Sequence, residues 1–251
     1  MSMAKTLHKI KCKVSYDGGA YGGFQLQENV VTIQQMLEEA LLSIVKEPTR
    51  IYGSGRTDAG VHAKEQVFHF HTTIQIPEDR WPLAFNKKLP EDIVVLEAAY
   101  VPDHFHARFD VVEKTYRYCL WNHRLPNIFK RRYSWHVPYS LDIGAMRQAA
   151  SFLIGEHDFT SFCSSKAVVE DKVRHVYEIS IEEEESGEIW LTFRGKGFLY
   201  NMVRIMVGTL VQVGSGKYSC EAVKDILDAK DRHQAGVTAP AQGLFLWNVK
   251  Y

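Results

Sequence analysis

The sequence predicts an α+β protein built from two similar strand–helix–strand halves. Two observations carry this: strand-like runs and helix-period runs recur in the same order in both halves, and antiparallel hairpins are mixed among them. The expected division is 1–108 and 109–251. No low-complexity linker separates the halves, so their mixed, largely antiparallel sheets are expected to form a continuous central sheet flanked by helices.

In the first half, residues 9–16 alternate Ile10, Cys12, Val14 and Tyr16 with Lys9, Lys11, Lys13 and Ser15, the pattern of a half-exposed strand. Asp17-Gly18-Gly19 ends it in a turn. Thr32-x-x-Gln35 resembles a capping box, and Ile33, Met36, Leu37, Ala40, Leu41, Ile44 and Val45 follow helical spacing, so a helix is expected over 33–46, closed by Pro48. Strands are expected at 66–71 and 93–101, with a weaker helix signal at 80–88.

In the second half, the aromatic run 114–121 predicts a strand. A helix is expected over 141–154 with Gly155 as its stop. Residues 173–182 and 188–194 read as a hairpin around Ser186-Gly187. Residues 200–213 predict an unusually apolar helix, 220–229 a further one with Ser219 as cap, and 244–250 a last strand.

The 251 residues are 45% hydrophobic and 24% charged, an ordinary globular composition that argues against a disordered chain. No run of about 18 uncharged apolar residues is present, so no membrane span is expected. The first residues lack an apolar signal region, and the four cysteines are far apart with no C-x-x-C pair. A cytoplasmic protein with reduced thiols and no structural zinc is therefore the expectation. Lys plus Arg equals Asp plus Glu at 30 each. That excludes a polycation but leaves room for a local basic groove.

Residues 53–63 read Gly-Ser-Gly-Arg-Thr-Asp-Ala-Gly-Val-His-Ala. Its glycines imply a sharply bent backbone. G-K-[ST] does not follow, so a phosphate loop is not indicated, and no G-x-G-x-x-G opens a helix. The plain structural alternative is an Asx-type turn with Arg56 on the surface. The functional one is a carboxylate, Asp58, held beside a guanidinium that keeps it ionised and able to act as nucleophile or base.

The run Gly55-Arg56-Thr57-Asp58-Ala59-Gly60-Val61-His62 resembles the signature of the tRNA pseudouridine synthase A family. Tyr16-Asp17-Gly18 with Tyr21-x-Gly23-Phe24-Gln25 is similar to that family's N-terminal segment, which usually has Trp where Phe24 stands. Phe105–Phe109, Tyr116-Arg117-Tyr118, Asp158–Phe162, Asn201-Met202-Val203-Arg204 and Gly243–Leu246 match further blocks in order, so the likeness spans nearly the whole chain.

The resemblance implies the pseudouridine synthase fold and isomerisation of uridine to pseudouridine in the anticodon stem-loop of tRNA, at expected positions 38, 39 and 40. It implies no cofactor or metal, because the reaction has no net redox change and loses no group. By resemblance Asp58 is the catalytic carboxylate. Whether it attacks the sugar, attacks the base or removes a sugar proton stays open. A homodimer is likewise expected.

Arg204 lies in the apolar 200–213 run, where a buried charge is costly unless paired. By family precedent the partner is Asp58. Gly208, one turn on, leaves room for close approach. The alternative is an arginine at a helix start that reaches solvent. Tyr116 resembles the family's active-site tyrosine and would stack on or hydrogen-bond an extruded uracil. The alternative is a core aromatic, which Tyr118 also fits.

Arg56 is a candidate for filling the base stack or holding phosphate, and His62 for RNA contact without a catalytic part. By resemblance alone, Leu246 is an apolar wall of the base pocket. His69-x-His71 and His104-x-His106 have same-face spacing but no accompanying ligands, which favours structural or RNA-facing roles over metal binding. Lys9, Lys11, Lys13, Arg108, Arg117, Arg124, Lys130 and Arg131 are candidates for a phosphate groove. Two other readings are weaker: a non-catalytic tRNA-binding or folding module would not need Asp58, Tyr116 and Arg204 together, and a hydrolase would need a second placed acid or a metal cluster.

Overall fold

The computed structural model describes residues 6–251; the part of the N-terminal reading that concerns residues 1–5 lies outside them. The elements in chain order are β1 (His8–Tyr16), α1 (Ile33–Val45), β2 (Tyr52–Gly53), β3 (His62–Thr72), α2 (Arg80–Asn86), β4 (Ile93–Val101), β5 (Glu113–Asn122), β6 (Trp135–Val137), α3 (Ile143–Ser151), β7 (Gly155–Asp158), β8 (Val173–Glu183), β9 (Glu188–Gly195), α4 (Met202–Gly214), α5 (Ala222–Ala229) and β10 (Leu244–Lys250). This is an α+β protein. The chain resolves into two units, one running to Val112 and including Leu246–Tyr251, the other Glu113–Phe245.

In the first unit the strands lie in the order β4-β1-β3-β10, with β2 paired to β3. β1 is antiparallel to both neighbours, with Ile10 opposite Phe70 and Tyr100, and Cys12 opposite Phe68 and Ala98. The alternation along β1 puts Ile10, Cys12, Val14 and Tyr16 inside. Phe70 meets Trp81 edge-on at 5.3 Å, and Phe68 meets Phe85 at 5.9 Å, so α2 is fixed to the sheet by aromatic contacts. Burying each such side chain contributes about 1.5–3 kcal/mol.

The expected capping box at the start of α1 is half formed. Thr32 Oγ1 accepts from the Gln35 N–H at 3.3 Å, but the Gln35 side chain donates forward to Glu39 at 2.9 Å. The i, i+4 carboxylate outcompetes the neutral backward bond. Lys46, in the left-handed conformation at φ 66°, ends the helix ahead of Pro48.

In the second unit the order is β5-β9-β8-β7, with β6 parallel to β5. β9 alternates buried and half-buried positions along its length. The hairpin expected around Gly187 is present, with that residue at φ 88°. α3 is shorter than expected. Asp142 caps it by accepting from the Ala145 N–H at 2.9 Å, and Gly155, at φ 111°, opens β7 rather than stopping the helix. The whole of α4 is buried except Arg204 and Gln212, as its composition requires. Among the described residues no helix is long and apolar enough to cross a membrane.

Candidate active site

Asp58 lies in the link between β2 and β3 and is half-buried. The residues around it are held from several directions. The Tyr16 and Thr57 hydroxyls are 2.8 Å apart, and Phe24 N–H donates to the Thr57 carbonyl at 3.1 Å. Gly60 N–H reaches the Tyr21 carbonyl at 3.3 Å, and Val61 N–H closes onto the Asp58 carbonyl at 3.1 Å. On the β2 side, Gln66 Nε2 donates to the Gly55 carbonyl at 3.0 Å, while its Oε1 accepts from the Ser54 hydroxyl.

The segment 16–24 is thus the brace of the loop. Gly23 makes the close approach possible. It sits at φ 98°, and a Cβ there would come 2.6 Å from the Thr57 carbonyl oxygen.

His62 is 2% exposed. Its Nδ1 lies 3.1 Å from the Gly18 N–H and 3.0 Å from Asp17 Oδ1, an oxygen that also accepts from Gly19 N–H at 2.9 Å. With Nδ1 unprotonated the ring accepts from Gly18; with it protonated the ring donates to Asp17. Either way this histidine ties the loop's end to the turn after β1. Arg56 is exposed at the loop surface. Leu246, on β10, is fully buried.

The second unit carries Tyr116 and Arg204. Tyr116 is on β5 opposite Phe193, 8% exposed, with its ring edge-on to Phe198 at 5.2 Å. Tyr118, two residues on, is wholly buried and donates its hydroxyl to the Pro240 carbonyl at 2.7 Å. Burial raises its pKa well above the usual phenol range, so it stays a donor.

Arg204 is in the first turn of α4 and half-buried. Its Nε donates to the Ala239 carbonyl at 2.8 Å and its Nη1 to Asn201 Oδ1 at 2.9 Å, while Ala239 N–H returns to the Arg204 carbonyl at 3.0 Å. Two neutral oxygens therefore meet part of the desolvation cost that argued for a carboxylate. What comes close at Gly208 is backbone: a Cβ there would fall 1.8 Å from the Val237 carbonyl oxygen, so the segment around Val237 lies directly against α4.

Sequence reasoning missed Tyr16, Thr57, Asn201 and Ala239 as structural partners. Asn201, a cap-type residue just before a helix, was the one visible signal. His69 is buried and accepts from Ala107 N–H at 3.2 Å, surrounded by the rings of Tyr52, His71, Phe105 and His106. Among the described residues no cluster of side chains could hold a metal ion.

Lys9 is a correction. It is 7% exposed, and its ammonium binds the carbonyls of Asp103 and, at 2.8 Å, Phe105, so it is not available to phosphate. Other candidate bases are also engaged. Lys13 faces Glu97 at 3.2 Å, Lys130 faces Glu188 at 2.5 Å, and Arg117 lies 4.5 Å over the Trp190 ring.

The first unit thus carries a braced carboxylate loop; the second carries a guanidinium oriented by two oxygens and, on β5, the buried Tyr116. Comparison with known proteins agrees with the resemblance. The chain matches the family described as tRNA pseudouridine synthase over residues 13–110 and 149–251. It is 52% identical to the tRNA pseudouridine synthase A of Brevibacillus brevis over 245 residues, covering 98% of this chain and all of the relative. Its identity to the protein of the same name from Bacillus subtilis is 51%, over 97% of this chain and 99% of the relative. A third, from Anoxybacillus flavithermus, is 50% identical over 98% of this chain and 99% of its own length. With the signature loop intact and braced, and likeness at this level over the full length of its relatives, the chain belongs to the tRNA pseudouridine synthase family.

Proposed function

We propose that the chain isomerises uridine to pseudouridine in the anticodon stem-loop of tRNA, with Asp58 as the catalytic carboxylate acting on an extruded uridine. The observation that carries this reading is the immobilised Asp58 loop, pinned through Thr57 to Tyr16 and Phe24 on one side and through Gly60 to Tyr21 on the other. A carboxylate must be held at a fixed place to gain from proximity to the reacting sugar or base.

Arg204 is assigned to keeping Asp58 anionic and placed, since a nearby cation favours the charged form. Tyr116 is assigned to the base, through its ring face or hydroxyl. Arg56, exposed on the loop, is assigned to the RNA backbone or to the gap left in the stack. Leu246 is assigned to an apolar wall of the base pocket. His62, at 2% exposure, is assigned to bracing the loop rather than to touching RNA. The expected sites are tRNA positions 38, 39 and 40, the expected assembly a homodimer, and the expected compartment the cytoplasm.

The test is Asp58→Asn, which keeps size and removes the charge. Pseudouridine mapping in a tRNA transcript should show turnover reduced by about a thousandfold or more, with tRNA binding retained in a gel shift. Normal turnover in this variant would refute the assignment.

A further inference from the structure

We infer that Asn201 is a positioning residue for the Arg204 guanidinium, an inference that rests on the reading of Arg204 as an active-site group. Asparagine is among the best residues for capping a helix start. It normally does so from an extended backbone, with its side chain accepting a free N–H of the first turn. Asn201 occupies that place before α4 and does neither. Its backbone is left-handed, at φ 61° and ψ 4°, and its side chain makes no cap bond. Its Oδ1 instead accepts from Arg204 Nη1 at 2.9 Å.

The backbone turn alone does not explain the residue. Glycine would adopt the same conformation with less strain, so what asparagine adds is its side chain. Asparagine tolerates this conformation, and here its side chain is directed to the guanidinium three residues on rather than to the helix start.

The second contact shows what the side chain achieves. The Ala239 carbonyl takes the Arg204 Nε–H at 2.8 Å, and Ala239 is itself wholly buried and bonded back to the Arg204 carbonyl. A guanidinium is planar, so two acceptors on different nitrogens fix both its plane and its rotation about the side-chain axis. Without Asn201 Oδ1, the hold on Nη1 that helps set the plane of the guanidinium is lost. Catalytic constellations tolerate misplacement of only about 0.5 Å.

The experiment compares Asn201→Gly, Asn201→Asp and Arg204→Ala in the full-length protein, measuring pseudouridine formation on a tRNA transcript and thermal melting. Asn201→Gly keeps the left-handed turn and removes the acceptor. It should lower kcat by about 10- to 100-fold, with KM for tRNA and the melting midpoint little changed. Asn201→Asp, which retains an oxygen at the same reach, should keep more activity than Asn201→Gly. In an Arg204→Ala background, Asn201→Gly should cost nothing further, because both act through one group.

A wild-type kcat for Asn201→Gly, with Arg204→Ala impaired, would overturn the inference and leave the site reading standing. So would independent, additive losses, or an Asn201→Asp variant no better than the glycine one. A wild-type kcat for Arg204→Ala would instead remove the site reading itself.

Discussion

The Tyr16 hydroxyl lies 2.8 Å from the hydroxyl of Thr57, the residue directly before Asp58. Tyr16 is 4% exposed and Thr57 6%, so water has little room to replace either partner. Burial pushes the Tyr16 phenol well above its ordinary range, so it is protonated at neutral pH. The strand β1 therefore reaches the Asp58 loop through a buried polar contact, which is one of the bonds that set the loop's geometry.

Tyr16→Phe should cost about 1–2 kcal/mol in a urea titration, because the buried Thr57 hydroxyl is left without this partner. Tyr16→Phe with Thr57→Val removes both polar groups and should recover part of that stability. It should not recover turnover, which is expected to fall by about tenfold in both, since the loop has lost one of its tethers beside Asp58. Full activity in the double variant would show that the contact does not place Asp58.

Much of this could be read from the chain. The Gly-rich run around Asp58 announces a bent loop, and the apolar stretch around Arg204 announces a buried helix. β4 and β10 fall where the residue pattern puts them, at Ile93–Val101 and Leu244–Lys250. Elements made by partners distant in sequence were not legible. β2 and β6, two and three residues long, exist only because they pair with β3 and β5. Lys9 looks like any strand lysine until the carbonyls of Asp103 and Phe105, more than ninety residues away, come to its ammonium. The Ala239 carbonyl beside Arg204 is likewise 35 residues off and carries no side-chain signature.

Lys9 gives a prediction that separates a structural cation from an RNA-binding one. Lys9→Met should destabilise by about 1–3 kcal/mol, because two carbonyls lose a charged donor. The dependence of tRNA affinity on salt should stay as in the wild type, since no phosphate contact is lost. A shallower salt slope in the variant would return Lys9 to the groove.

Gly208 carries a packing prediction. The clash of an added Cβ is with the Val237 backbone oxygen, 1.8 Å away, which no rotamer change relieves. Gly208→Ala should therefore push residues 235–239 off α4 and destabilise by about 1–3 kcal/mol. It should also lower turnover, because the Ala239 carbonyl moves with that segment and Arg204 Nε loses its acceptor. Gly197→Ala is the control: nothing lies within 4 Å of a Cβ there, and its stability should match the wild type. Equal melting curves for the two variants would contradict the packing described.

His69 sets a pH dependence. Burial first, then the nearby His106, Lys9 and His71, lowers its pKa from 6.5 to about 4. The folded state thus prefers the neutral ring, whose Nδ1 accepts from Ala107 N–H at 3.2 Å. Between pH 6.5 and 4 the unfolded chain binds the proton and the folded chain does not, so stability falls as pH drops through that window. At full effect this one residue contributes about 1–3 kcal/mol. His71 and His106 are shifted in the same direction and add to the slope, so the informative quantity is a difference. His69→Gln keeps an acceptor and removes the titration. It should be less stable than the wild type at pH 7, and the gap should narrow by about 1–3 kcal/mol in denaturant titrations taken down to pH 4. Parallel curves for the two proteins across that range would mean that the His69 pKa is not depressed in the folded state.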